Sequence, residues 1–171
     1  MQKPFLKWVG GKTQIIEKVL SKFPKEIENY YELFLGGGSV LLALLSSNII
    51  IKGKIYAYDI NEPLIYLYKN IQRNPSKLYK KIKEIIEIYD SCPYIDKKNN
   101  ELNNKKINRK PETLEEAKES RETYYYWIRK QYNDLPDKLS ILGSAYFLIL
   151  NKLCFRGVYR EGPNGFNVPF G

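Results

Sequence analysis

The 171 residues include no histidine. That removes the commonest general base and the commonest metal ligand, so any chemistry must rest on carboxylates, amides, backbone groups or a bound cofactor. Cysteine is nearly as scarce. Cys92 and Cys154 match no metal-ligand spacing, and a disulfide framework is not expected. Long apolar runs are missing too. Even one of the longest, Ala145 to Leu150, falls far short of the roughly 18 residues that span a membrane. The first residues show no apolar stretch with a small-residue cleavage site, so no signal peptide is expected and an intracellular location is. Acidic residues are outnumbered: 28 Lys and Arg face 19 Asp and Glu, a formal charge of +9. A surplus of that sign suggests a polyanionic partner, with nucleic acid first. An AT-rich coding sequence would also enrich Lys, Asn, Ile and Tyr. What remains, 43% hydrophobic residues, is enough for the core of one domain or a little more.

The stretch K-W-V-G-G-K-T, residues 7 to 13, ends as a phosphate-gripping P-loop does. A P-loop needs a glycine five positions before the Gly of Gly-Lys-Thr, directly after a buried strand. Leu6 stands at that position, and residues 1 to 7 are short and polar. Spacing and context both reject a P-loop, and another reason is needed for a Trp, two Gly and two Lys together.

Apolar residues at Ile15, Ile16, Val19 and Leu20 have helix spacing, with Thr13 as cap and Phe23-Pro24 as stop. Residues 30 to 35 read as a short buried strand, 36 to 38 as a glycine turn, and 39 to 46 as a helix capped by Ser39. Residues 54 to 58 read as a second strand closed by Asp59, and 61 to 70 as a helix with Leu64, Leu67, Tyr68 and Ile71 on one face. Strand–helix–strand–helix order predicts an α/β fold with parallel strands. Helices are predicted over 75–89, 114–132 and 139–153. The lysine- and asparagine-rich segment 96–110 reads as a mobile loop. Gly and Pro at short intervals make the last residues a hairpin or ordered loop. No internal repeat is visible.

Two features bear on ligand binding. Glycines at a strand–helix junction let a ligand approach the backbone and the helix start, although the G-x-G-x-x-G pattern fails because position 41 is Leu. Asp59, at the carboxyl end of the next strand, is placed to accept ribose hydroxyls. Tight helix packing and an ordinary helix cap before Asn61 are the plainer accounts of these two features. Glu32 in the same turn would repel a pyrophosphate and attract an ammonium. The pair suits a ligand that is adenosine at one end and an amino acid at the other, as S-adenosylmethionine is.

The order K-W-x-G-G-K, then E-x-F-x-G-x-G-S-V, then a strand with D-x-N, then G-x-x-R and F-N-V-P-F-G resembles the Dam-type (D12 class) DNA adenine-N6 methyltransferases, from Phe5 to Gly171. Each motif alone is weak; four in order are specific. The resemblance implies a partial Rossmann-like sheet for an S-adenosylmethionine-dependent methyltransferase, with an inserted, mostly helical target-recognition domain. It divides the chain into 1–62 (cofactor-binding part), 63–165 (recognition domain with a DNA-contacting hairpin) and 166–171 (return toward a catalytic part).

It also implies site residues. Trp8, Gly10, Gly11 and Lys12 would lie against the methionine end of the cofactor, with Trp8 as a wall and Lys12 near the carboxylate. Glu32, Phe34, Gly36, Gly38 and Asp59 complete the cofactor set. Phe155 and Arg156 would contact duplex DNA or fill the gap left by an extruded adenine, and Arg160 would read a guanine edge. Arg156 stands where a small amide is more usual. Read without the family, the same segment is a solvated basic hairpin.

The family transfers its methyl group with a D-P-P-Y motif, whose Asp and proline carbonyl bind the adenine amino group and whose Tyr stacks on the base. No such motif occurs in these 171 residues; D-S-C-P-Y at 90–94 follows a helix and does not qualify. No catalytic residue and no metal ligand is therefore assigned. The expectation is an N-terminal portion of an adenine methyltransferase acting on double-stranded DNA, with a D-P-P-Y half as a possible separate chain. A catalytically inactive DNA-binding or companion subunit is the alternative, and a nucleotide-binding module unrelated to methylation stands third.

Overall fold

A computed structural model describes residues 2–95 and 107–171. The loop expected at 96–110 lies outside the described residues except for 107–110.

Thr13 does not cap the first helix. Residues Thr13–Ile15 form a 3-10 turn whose start has no side-chain cap, and α1 (Ile16–Leu20) begins only after it. The strands follow in two parallel pairs. β1 (Glu26–Ile27) pairs with β3 (Ile50–Ile51), and β2 (Tyr30–Glu32) pairs with β4 (Ile55–Ala57). Parallel pairing is as expected, in pairs of two strands rather than a wide sheet among the described residues.

The two pairs are one ladder with a one-residue slip. Ile27 faces Ile51, but Tyr30 faces Ile55, so residues 52–54 oppose residues 28–29. This is a β-bulge. The Gly53 N–H donates to Glu28 O at 2.6 Å, and the Lys54 N–H is taken by the Asn29 side chain at 2.8 Å. A Cβ at Gly53 would lie 2.5 Å from both Asn29 Oδ1 and Glu28 O, so only glycine fits the crossing.

Ile27, Tyr30 and Ile51 face α1 and α2 (Ser39–Leu45) and pack with Leu20, Ala43 and Leu44 in a small apolar cluster. The opposite face carries Tyr31 stacked on Tyr56, with ring centres 4.8 Å apart. The segment 30–35 is thus not uniformly buried: Tyr31, Leu33 and Phe34 are exposed.

The larger core is helical. α7 (Ile141–Leu153) sits at its centre, packed by α3 (Glu62–Arg73), α4 (Pro75–Ser91) and α6 (Arg121–Asp134). A continuous helix over 114–132 does not form. α5 (Leu114–Ala117) ends, and Ser120 starts α6 by accepting the Thr123 N–H at 3.0 Å. The serine hydroxyl offers the backbone a cap that outcompetes helix continuation. α7 is capped the same way, Ser140 accepting from Gly143 at 3.1 Å. Inside the core, Asn70 donates to Ser144 Oγ at 2.8 Å and to Leu139 O at 3.0 Å.

The N-terminal segment is laid across this helical core. Leu6 is buried in it, and Phe5 and Trp8 pack against it. Asn151 of α7 holds the segment as a strand would. Its Oδ1 accepts the Lys7 N–H at 3.0 Å and its Nδ2 donates to Lys7 O at 2.7 Å. The last residues form a hairpin of β5 (Glu161–Gly162) and β6 (Gly165–Phe166), as the Gly/Pro pattern predicts.

Candidate functional site

The site is built where the two strand–helix junctions meet. After β2 the ladder continues briefly: Tyr58 N donates to Glu32 O and Leu35 N to Tyr58 O, each at 2.8 Å. The chain then turns through Gly36–Gly38. Gly36 and Gly38 have φ of +51° and +69°, which disfavours residues with a Cβ. A Cβ on Gly36 would lie 2.8 Å from Trp8 Cδ1, and one on Gly38 would lie 2.5 Å from the Tyr68 hydroxyl. Glycine is thus required twice, by backbone angle and by neighbours.

Asp59 closes the turn. Its Oδ2 accepts the Gly36 N–H at 2.8 Å, and its Oδ1 accepts the Asn61 N–H at 2.9 Å. The cap of α3 is Asn61 itself, which accepts from Leu64 N at 2.9 Å. Asp59 is therefore not the helix cap but a bridge between the two junctions. Each carboxylate oxygen has two lone pairs, which leaves capacity for hydroxyl donors.

Ser39 does not cap α2. Gly38 occupies that position without a side-chain bond, and Ser39 Oγ accepts the Lys12 N–H at 3.0 Å. This ties the K-W-V-G-G-K segment to the glycine turn, a link of which the sequence pattern carried no sign. Gly11 donates to Trp8 O at 3.3 Å, closing a turn in which Gly10 has φ +78°. Nothing lies within 4 Å of a Cβ built on Gly10, so that side of the turn is open. Lys12 Nζ donates to Gly10 O at 3.0 Å in an exposed position.

Glu32 is half-buried beneath the turn and accepts the Tyr30 hydroxyl at 3.0 Å. Burial raises its carboxyl above the usual range, against a lesser opposing pull from Tyr30 and the Leu41 N–H. The Tyr68 hydroxyl, also pushed up chiefly by burial and then by the Glu32 charge, is buried without a hydrogen-bond partner in the structure. Its position on the apolar face of α3 signalled packing only; its place against Gly38 was not legible. Phe34 is the opposite case, with 89% of its surface exposed beside the turn. The structure thus brings Trp8, Lys12, Glu32, Gly36, Gly38 and Asp59 together, with Gly10, Gly11 and Phe34 at the rim.

The second group of residues lies on the other side of Trp8. The Trp8 ring stacks on Tyr159 with centres 6.4 Å apart and packs on Phe147 at the same distance. Phe155 to Gly157 form a 3-10 turn at the end of α7, in which Arg156 has φ +54°. A side chain in the left-handed region costs about 1–2 kcal/mol, and the turn holds it there regardless. The Arg156 guanidinium lies 5.1 Å from the centre of the half-exposed Phe155 ring. Arg160 is exposed and donates from Nε to Asn167 Oδ1 at 2.7 Å, which fixes its stem to the hairpin. No cluster of metal-ligating side chains occurs among the described residues. The thiols of Cys92 and Cys154 are buried and pushed up by that burial.

Residues 8–171 match the family of D12 class N6 adenine-specific DNA methyltransferases. Among curated proteins, the chain is 35% identical to the Type II methyltransferase M.MjaIII of Methanocaldococcus jannaschii, over 99% of this chain and 52% of that protein. It is 29% identical to the DNA adenine methylase of Haemophilus influenzae and 27% identical to that of Escherichia coli K12, over 99% of this chain and 47% and 48% of theirs. The chain spans about half the length of the curated relatives it matches.

Proposed function

Because this chain belongs to the D12 class N6 adenine-specific DNA methyltransferases, we propose that it forms the cofactor-facing and DNA-facing part of an S-adenosylmethionine-dependent enzyme. The proposed reaction moves a methyl group to the N6 amino group of adenine in duplex DNA. The observation that carries this reading is the Asp59–Gly36 bridge, which sets a carboxylate against the glycine turn beside Trp8 and Glu32.

The residues present fit such a cofactor. The turn tolerates no Cβ, the rim at Gly10 is open, and two carboxylates, Asp59 and Glu32, lie at the turn with acceptor oxygens for hydroxyls or an ammonium. Asp59 would take the ribose hydroxyls and Glu32 the ammonium. Lys12 would swing from Gly10 O to the carboxylate, and Trp8 and Phe34 would flank the ligand. When bound, the cofactor supplies an electrophilic methyl on a sulfonium. On the DNA side, Phe155, Arg156 and Arg160 would meet the duplex, with Arg160 reading a base edge and the turn at 155–157 pressing on the stack.

In this reading residues 1–62 belong to the Rossmann-like cofactor domain and 63–165 to the recognition domain, with 166–171 returning toward a catalytic part. The D-P-P-Y element would come from a further segment, in the same polypeptide or a separate one, and the enzyme would work inside the cell. The alternative reading is a DNA-binding companion subunit without activity, and rescue with a second half tells the two apart.

Calorimetry with S-adenosylmethionine tests the first reading. Weak but measurable binding is expected for residues 1–171, and its loss in Asp59→Ala. Equal binding by both, or preference for ATP, would sink the cofactor assignment. No labelled methyl should reach adenine from this chain alone. Rescue by a polypeptide bearing the second half of a relative supports the enzyme, and failure of rescue with intact DNA binding supports the companion.

A further inference from the structure

A basic groove is lined by none of the residues in the two groups just described. Its cavity is about 360 Å³, between the 109–112 segment, α6 and the hairpin turn at Asn164. Four cations line it: Arg109, Lys110, Arg129 and Lys130. Two carboxylates, Glu112 and Asp134, line it too. Lys130 pairs with Asp134 at 2.7 Å, both exposed, and Arg109 lies 3.8 Å from Glu122. The Lys130–Asp134 pair is worth little and gives way readily to a stronger anion, whereas the Glu122 beside Arg109 is buried.

The arginines are held in place. Both guanidiniums lie over the buried Tyr126 ring, Arg129 at 4.7 Å and Arg109 at 5.8 Å from its centre. Arg129 also donates from Nη1 to Val168 O at 3.2 Å. Cations ordered in advance lose less freedom when they take a ligand. The groove is also rigidly joined to the hairpin. Asn133 accepts the Phe166 N–H at 2.8 Å and donates to Phe166 O at 2.9 Å, so α6 and β6 are clamped by one side chain.

We propose that this groove holds a phosphodiester of the DNA backbone and so fixes the distance between the duplex and the Arg160 hairpin. The proposal rests on the DNA reading above and names the place of a backbone interaction that reading leaves open. A phosphate grip rigidly coupled to a base-reading hairpin sets register without carrying sequence information. Arginines stacked on an aromatic ring present planar donor forks to a phosphate, and the lysines add point charges.

The test uses Lys110→Gln combined with Lys130→Gln. Arg129 is left intact because it holds Val168, and circular dichroism confirms that the variant folds. Two labelled duplexes of unrelated sequence are titrated at low and moderate salt. Both should lose affinity by the same factor, on the order of tenfold at low salt. The salt slope should fall by about 0.9, the value for the one phosphate no longer neutralised. The ratio between the two duplexes should not change. Wild-type affinity and slope in the variant overturn the groove while the DNA reading stands. A wild-type chain that binds neither duplex at low salt sinks the DNA reading and the groove with it. Inorganic phosphate binding that the variant loses, with duplex binding unaltered, makes this a small-anion site and likewise overturns the proposal.

Discussion

Gly36 and Asp59, 23 residues apart, are joined by a 2.8 Å hydrogen bond from the glycine N–H to Oδ2. The bond locks the turn after β2 to the junction after β4. It sets a carboxylate against a glycine backbone that the Trp8 ring covers. The parallel ladder brings both junctions to the same end, and the single-residue slip at Gly53 sets how far β4 runs relative to β2.

Gly36→Ala should therefore cost more than its backbone angle alone. The left-handed conformation accounts for about 1–2 kcal/mol, and the added Cβ must also displace the Trp8 ring, 2.8 Å away. Gly10→Ala is the control, with φ +78° and open space around the Cβ. Urea denaturation should rank Gly36→Ala as clearly the more damaging. Equal midpoints would show that Trp8 moves aside at no cost.

Glu32 makes stability depend on pH. Burial raises its folded-state pKa, so the folded chain holds this proton more tightly than the unfolded chain. Its contribution is fully favourable below the ordinary glutamate range and is lost as pH rises through the raised value. Glu32→Gln removes the charge and keeps an acceptor for Tyr30. The variant should gain stability relative to wild type on going from pH 4 to pH 7, read by thermal melts. A constant difference across that range would exclude Glu32 as the source.

Asn151→Ala should destabilise the chain by about 1–3 kcal/mol, because Lys7 N and O each lose a part-buried hydrogen bond. Asn151→Asp keeps the acceptor for Lys7 N but not the donor for Lys7 O, and should recover little. The decisive measurement is the denaturation midpoint of both variants. A loss below about 0.5 kcal/mol in Asn151→Ala, the size typical of an uninvolved surface change, would mean that the N-terminal segment is held by Leu6 and Trp8 packing alone.

Periodicity made the helices at 62–73, 75–91 and 141–153 legible, since each shows an apolar stripe or run to one core. The parallel pairing of 30–32 with 55–57 followed from strand–helix–strand order. The grouping of Glu32, the glycines and Asp59 followed from their places at strand ends. What stayed hidden has a common cause. Ser39 accepting from Lys12, Asn29 filling the bulge and Asn151 clamping Lys7 are side chain-to-backbone bonds between distant residues. Such bonds depend on tertiary approach and leave no period in the sequence. The break at Ser120 was locally encoded, yet an apolar pattern on both sides of it masked the cap.

The clasp between Lys7 and Asn151 also sets a schedule. The two residues are 144 positions apart, so at about 5–20 residues per second a ribosome delivers Asn151 roughly 7–30 s after Lys7. The bulged ladder, α1 and α2 are complete long before then, because all their residues lie before position 58. Through that interval Leu6 and Trp8 have neither their clasp nor the α7 surface they cover. Residues 6–8 are made well before the α7 surface that holds them.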